Sequence, residues 1–381
     1  MFRTVRGVVV PEERRRSSAI TRPLIGATVA FVALLGAACQ PAAGPVGAPS
    51  TTVGTTSSLP SVTSSSTVPE TPTSTTSTST TSTSTTSTVP PTPELLVALE
   101  VHVEGWTYSS DAQLEMHLVE LEELADIAGA HGAVLSFELG HQFTVALRNA
   151  GRSDWVTSVL AQGHDVQMHA DVGGSGTPSL STLTSQLNTQ LADLSSIGVE
   201  PSVVTGVCSR GPWVEAVAGA GIPSVAGMVE YCMHALDPTN DPAEFNRTAC
   251  RTPASCHDAL GTVLDLDVPW FAATSADFLT PVSESTAGAV LLIPGSEGPI
   301  CGSEGASGTA CSWDAGDPAG FAAKLAEAVS VRSTSANSVF TSAWSVGSPV
   351  DATLAEQLFT ELENVVADGG VRWVRISDVT G

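Results

Sequence analysis

Three residues in the stretch LEVHVEGW, residues 99–106, are of types that do chemistry together: Glu100, His102 and Glu104. They alternate with Leu99, Val101 and Val103, a period of two that predicts a strand with the acids and the imidazole on one face. The run DVQMHAD sets Asp165, Gln167, His169 and Asp171 against Val166, Met168 and Ala170. AVLSFEL sets Ser136 and Glu138 against Leu135, Phe137 and Leu139. The apolar faces need a layer of helices, so the acids and imidazoles must meet on the other side. Unpaired carboxylates there cost on the order of several kcal/mol each. A divalent ion such as Zn²⁺, held by His102, Glu104, His169 and Asp171, would meet that need; hydrogen bonds among the groups themselves are the competing reading. With an ion in place, Glu104 or Glu100 is the candidate proton acceptor. Glu104 cannot serve fully as both ligand and base, and its spacing leaves that choice open.

The elements that position these residues follow a regular order. Strand-like runs alternate with helix-like runs such as DAQLEMHLVELEELADIAGAHG, FTVALRNAGRSDWVTSVLAQG and LSTLTSQLNTQLADLSSIG. Seven or eight β-α units imply an α/β fold with parallel strands. Their length suits a (β/α) barrel of seven or eight strands, whose site lies at the C-terminal strand ends. After PSVAGMVEY the order is interrupted by an excursion, residues 232–262, that carries His234, His257 and three cysteines. Each of the two histidines could cover the site or simply lie in a solvated loop.

The barrel is expected over residues 94–381. Residues 1–38 combine a basic start with the apolar run PLIGATVAFVALLGAA, which reads as a secretory signal. It stops at Cys39 in LLGAAC, a pattern that resembles a bacterial lipobox, so lipid on Cys39 and anchoring outside the cytoplasmic membrane are expected. Residues 39–93 are dominated by Ser, Thr and Pro and read as a disordered stalk. Removing residues 1–38, which hold six arginines and two glutamates, takes the formal charge from −24 to about −28. Such a surface repels nucleic acid and other polyanions. No P-loop or dinucleotide fingerprint is present, so no nucleotide cofactor is expected. Six cysteines remain beyond Cys39, and an even number in an exported chain implies disulfides. Sequence proximity favours Cys250 with Cys256 and Cys301 with Cys311, leaving Cys208 for Cys232.

From these motifs the chain resembles the polysaccharide deacetylases of the NodB-homology type. VHVEGW is similar to the family's V-D-V-E-D-aromatic variant, with His102, Glu104 and Trp106 in register and Gly105 where a second acid would stand. GHDVQMHADVGG matches the second motif through His169, with Gly173 in place of its second histidine. RGPW supplies Arg210, Pro212 and Trp213, and TSADF supplies Asp277, for which Glu230 is a rival. LLIPGS puts Pro294 where a catalytic histidine belongs. The resemblance implies a (β/α) barrel and metal-dependent removal of acetyl groups from N-acetylated sugars in a polysaccharide or cell-wall glycan. Arg210 would then orient the catalytic acid, and Trp106 and Trp213 would stack on sugar rings. Two other outcomes stand beside it. One is a barrel that binds glycan without hydrolysing it. The other is a metal-free glycoside hydrolase using two carboxylates such as Glu100 and Glu230.

Overall fold

The computed structural model describes residues 94–104, 110–174, 176–297, 300–301, 315–331, 338–345 and 351–379. The signal, Cys39, the stalk, Gly105, Trp106 and Cys311 lie outside the described residues.

The chain forms an α/β fold around one curled, mostly parallel sheet. Its strands are β1 (Leu95–Val103), β2 (Leu135–Gly140), β3 (Asp165–His169), β4 (Val203–Thr205), β5 (Ser224–Met228), β6 (Trp270–Ala272), β7 (Val290–Pro294), β8 (Ile300–Cys301), β9 (Val339–Ser345) and β10 (Val371–Trp373). The order is β6-β7-β5-β4-β3-β2-β1-β9-β8, with β10 paired to the start of β1. All pairs are parallel except β6 with β7. That antiparallel edge departs from the all-parallel expectation. The backbone N–H groups of Ser296 and Glu297 donate to Thr341 O at 3.2 and 3.1 Å, so the chain just past β7 runs beside β9.

The helices are α1 (Asp111–Ala130), α2 (His141–Ala150), α3 (Asp154–Ala161), α4 (Leu180–Ser195), α5 (Trp213–Ala220), α6 (Leu260–Leu264), α7 (Asp317–Val331) and α8 (Ala352–Ala367). Ser110 caps α1 and Ser179 caps α4, each side-chain oxygen accepting a backbone N–H of the first turn. The single helix expected over FTVALRNAGRSDWVTSVLAQG is two, because the chain leaves the helix at Gly151 and restarts at Asp154.

Strand alternation sorts the side chains as the period of two requires. Leu95, Val97, Leu99, Val101 and Val103 join the helices' Leu114, Leu118 and Leu121 in the main core. The opposite face of β1 changes character along its length. At its start Leu96 and Ala98 join Val203, Ala226, Leu291, Ile293 and Val339 in a second apolar cluster, with Val374, Ile376 and Val379 from the chain's C-terminal end. Ile376 N donates to Ser136 Oγ at 2.8 Å and Ser377 N to Asp165 Oδ2 at 3.3 Å, which ties that C-terminal segment to β2 and β3. Further along the same face stand Glu100, His102, Glu138, His169 and Thr205, all buried. The sheet's concave interior is therefore apolar where the strands begin and polar where they end.

Candidate metal centre

Register brings the polar groups together. His102 on β1 lies opposite Glu138 on β2, and His169 on β3 lies opposite Thr205 on β4. The rings of His102 and His169 sit with centroids 4.5 Å apart. Glu104, just past β1, places Oε2 2.8 Å from His169 Nε2. His102 Nε2 lies 3.0 Å from Glu138 Oε2 and 3.7 Å from Glu100 Oε2.

A hydrogen-bond chain fixes how His169 is presented. The Thr205 hydroxyl donates to Glu138 Oε2. It has one proton, so it must accept from His169 Nδ1–H, 2.9 Å away. That leaves Nε2 as the nitrogen facing Glu104. A carboxylate behind a hydroxyl behind an imidazole is the arrangement that orients metal-binding histidines.

The charges respond to this crowding. Burial opposes a negative Glu104, but the neighbouring His169 outweighs it and holds the carboxyl down to about 2, with help from His102 and His257. Burial likewise opposes a charged His169, and Glu104 overrides it, raising the imidazole to about 9. Burial, reinforced by Glu138, pushes Glu100 up to about 8.

Does a divalent ion fit? Ligand atoms of His102, Glu104 and His169 all lie within 4.8 Å of one another. They are two imidazoles and a carboxylate, a donor set suited to zinc. His102 Nε2 is buried and faces Glu138 Oε2 at 3.0 Å without an aligned hydrogen bond. The residues present therefore fit such an ion. Another group with suitable atoms, Glu230 with Cys250 and Cys256, is excluded by its chemistry, since the two sulfurs are joined to each other.

Several expected site residues are placed elsewhere. Asp171 does not join the cluster. It adopts φ 43°, out of the strand conformation, and is exposed. It lines instead a cleft of about 460 Å³, with Glu104, His141, Gln142, His169 and Gln186 among the other walls. Glu100 is only 1% exposed, too deep to take a proton from a substrate in that cleft. Arg210 donates to the Arg251 carbonyl at 2.7 Å, and among the described residues it has no ion-paired acid to orient. Trp213 is 1% exposed, packed edge-on against Phe278, so it offers no face for a sugar. Asp277 is exposed and accepts from Thr280. The carboxylate beside Glu100 is Glu138.

The departures from the motif pattern have local causes. Gly173 has φ 97°, and a Cβ there would stand 2.4 Å from Ser209 Cβ, so no histidine fits. Pro294 ends β7 with its carbonyl accepting from Thr341 Oγ1 at 2.7 Å, as part of the contact with β9. Glu138 and Thr205 belong to the cluster, and the sequence motifs do not mark them as part of it. Strand alternation puts Glu138 on the correct face; nothing local singles out Thr205.

The excursion is fastened over this end of the sheet. Disulfides join Cys208 to Cys232 and Cys250 to Cys256. Tyr231 Oη donates to Gly174 O at 3.2 Å, just beyond β3. His257 is exposed on it, close enough for its charge to act on Glu104.

No family model matches the chain, and no curated protein does. Among solved structures it is similar to a probable polysaccharide deacetylase from Pseudomonas aeruginosa PAO1, at 10% identity and a TM-score of 0.48, over 76% of this chain and 92% of that one. It is similar to a family 4 carbohydrate esterase from Streptomyces lividans in complex with acetate, at 12% identity and 0.29, over 75% and 93%. It is also similar to a 4-alpha-glucanotransferase from Thermococcus litoralis, at 11% identity and 0.44, over 75% and 40%. At these values none of the three assigns an activity to this chain.

Proposed function

We propose that the chain is an extracytoplasmic, metal-dependent hydrolase that removes acetyl groups from N-acetylated sugars of a polysaccharide or cell-wall glycan. The observation that carries this reading is the convergence of His102, Glu104 and His169 where β1 and β3 end at a cleft. The motif order in the sequence supports the substrate class, and the contact of residues 296–297 with β9 supports a closed barrel.

When bound, a divalent ion, Zn²⁺ in this proposal, supplies Lewis-acid polarisation of an acyl carbonyl and activation of water. His102, Glu104 and His169 would hold it. Glu138 acts through Thr205 to keep His169 in the tautomer with Nε2 free. Glu104, held against His169, is a ligand, and the proton-accepting role passes to Asp171 on the cleft wall. Gln142 and Gln186 offer uncharged amides that match the hydroxyl and acetamido groups of a neutral sugar. An acidic chain whose cleft has no lysine or arginine among its described lining residues fits such a substrate better than an anionic one.

The test is metal content and deacetylation measured together on the full chain. His169→Ala should lose both. Asp171→Asn should keep its metal and lose turnover by at least about 10²-fold, the scale of general-base catalysis. Loss of metal in Asp171→Asn would return it to the ligand set. Stoichiometric metal with no turnover on any acetylated glycan would favour a glycan-binding protein, a reading supported by the absence of histidine at Gly173 and Pro294. The proposed anchor is tested separately: Cys39→Ser should release the protein from the membrane fraction.

A further inference from the structure

Amide hydrolysis needs a second proton transfer that no residue named so far performs. When the C–N bond breaks, the departing amine nitrogen is too basic to leave without a proton. Four titratable side chains are among the described residues lining the cleft: Glu104, His141, His169 and Asp171. Glu104 and His169 face each other as ligands. Asp171 takes a proton rather than giving one. His141 remains.

The fold presses His141 toward the other three. It opens α2, directly after Gly140 at the end of β2. A Cβ on Gly140 would stand 2.8 Å from Val103 O and 3.6 Å from Glu104 Cα. Glycine is what lets the first turn of α2 lie this close to the end of β1.

Behind the ring stands an acid. His141 Nδ1 lies 3.2 Å from Asp193 Oδ2, which comes from α4. The other oxygen, Oδ1, is taken by Arg148, two turns further along α2 on the face that carries His141. Asp193 is therefore held from both sides, with 16% of its side chain exposed against 46% for His141. A carboxylate only accepts, so it favours the proton on Nδ1 and leaves Nε2 for the cleft.

Helix packing does not account for the pair. Arg148 already ties α2 to Asp193. A positive ring in the first turn of α2 opposes the helix dipole. An ion pair this exposed adds only about 0–1 kcal/mol.

We propose that His141, oriented by Asp193, is the proton donor of the reaction and protonates the leaving amine through Nε2; this rests on the hydrolase reading above. The water oxygen bonds to the acyl carbon as Asp171 takes one of the water protons. The C–N bond then breaks, its electron pair stays on nitrogen, and nitrogen takes the proton from Nε2. His141 is left neutral, with Nδ1–H toward Asp193. Asp171 returns its proton to solvent and His141 regains one from it, so the net products are acetic acid and the free amine.

The experiment compares two substrates that differ in their need for that proton. On the full chain loaded with Zn²⁺, kcat/KM is measured for an oligomer of N-acetylglucosamine and for 4-nitrophenyl acetate, whose leaving group departs as a stable anion. His141→Gln, at an exposed position, should lose about 10²-fold or more on the amide, keep its Zn²⁺ and lose little on the ester. Asp193→Asn should show the same selectivity with a smaller loss. An equal loss of His141→Gln on both substrates, or no loss on either, overturns the role of His141 and leaves the hydrolase reading in place. Wild type without amide turnover removes that reading and this role with it. Should wild type act on the amide alone, His141→Ala decides: imidazole in the medium should restore amide turnover, and no restoration overturns the proposal.

Discussion

Thr205 shows how much one hydroxyl can determine. It bridges Glu138 and His169, and the single proton it carries decides which histidine nitrogen faces outward. Thr205→Val keeps shape and volume but removes both bonds. It also leaves Glu138 without its donor, a buried acceptor without its bond. The expected result is a loss of Zn²⁺ affinity of about 10–100-fold, the usual consequence of removing an orienting partner. Thr205→Ser should restore most of it. Competition with a chromophoric chelator measures both. An unchanged affinity in the valine variant would mean that Nε2 is presented without the relay. Glu104 and His169 could be picked out from sequence because their chemistry is local to a strand and its end. Thr205 could not, because a threonine acquires this role only through a neighbour 36 residues away and another 67 residues away.

At the scale of elements, the strands were the legible part of the fold. A period of two is written into consecutive residues, and it correctly put Glu100, His102 and Glu138 opposite the apolar face of the sheet. Where the alternation ends, so does its authority. Asp171 continues the pattern on paper, but the chain has left β3 by then and turns it outward with φ 43°. Trp213 illustrates the other failure. The resemblance offers Trp213 as a face for a sugar ring, yet Trp213 opens α5 and buries its ring against Phe278. The burial is decided by residues 275–278, which no local pattern ties to α5; Val214 N donates to Ser275 Oγ across that gap at 2.8 Å. Trp213→Ala should therefore act on stability, lowering unfolding free energy by about 3–5 kcal/mol. Affinity for glycan in the folded fraction should not change. Denaturant titration and binding measured on the same preparation separate the two. A weakened glycan affinity at unchanged stability would restore the stacking role.

The whole molecule sets acids against very few bases: 39 Asp and Glu face 15 Lys and Arg. It also draws several of those acids inward, to the polar end of an otherwise apolar interior. This gives the metal-free protein an unusual dependence of stability on pH. Glu104 is held down to about 2 from 4.5, so its contribution is present above about 4.5 and lost as pH falls toward 2. His169 is raised to about 9 from 6.5, so its contribution is complete below about 6.5 and lost as pH rises through 9. Glu100 is raised from 4.5 to about 8, so the folded state keeps a proton the unfolded chain has released, and stability falls between those values. The three effects agree only near pH 4.5–5. Chelator-treated protein should be most stable there and lose stability steadily up to about pH 9. Bound metal reverses the upper limb, since its ligands must be deprotonated and binding strengthens as protons leave. Melting temperatures across pH 3–9, with chelator and with Zn²⁺, should therefore form two curves that diverge above about pH 5. Parallel curves would show that the ion does not sit on Glu104 or His169.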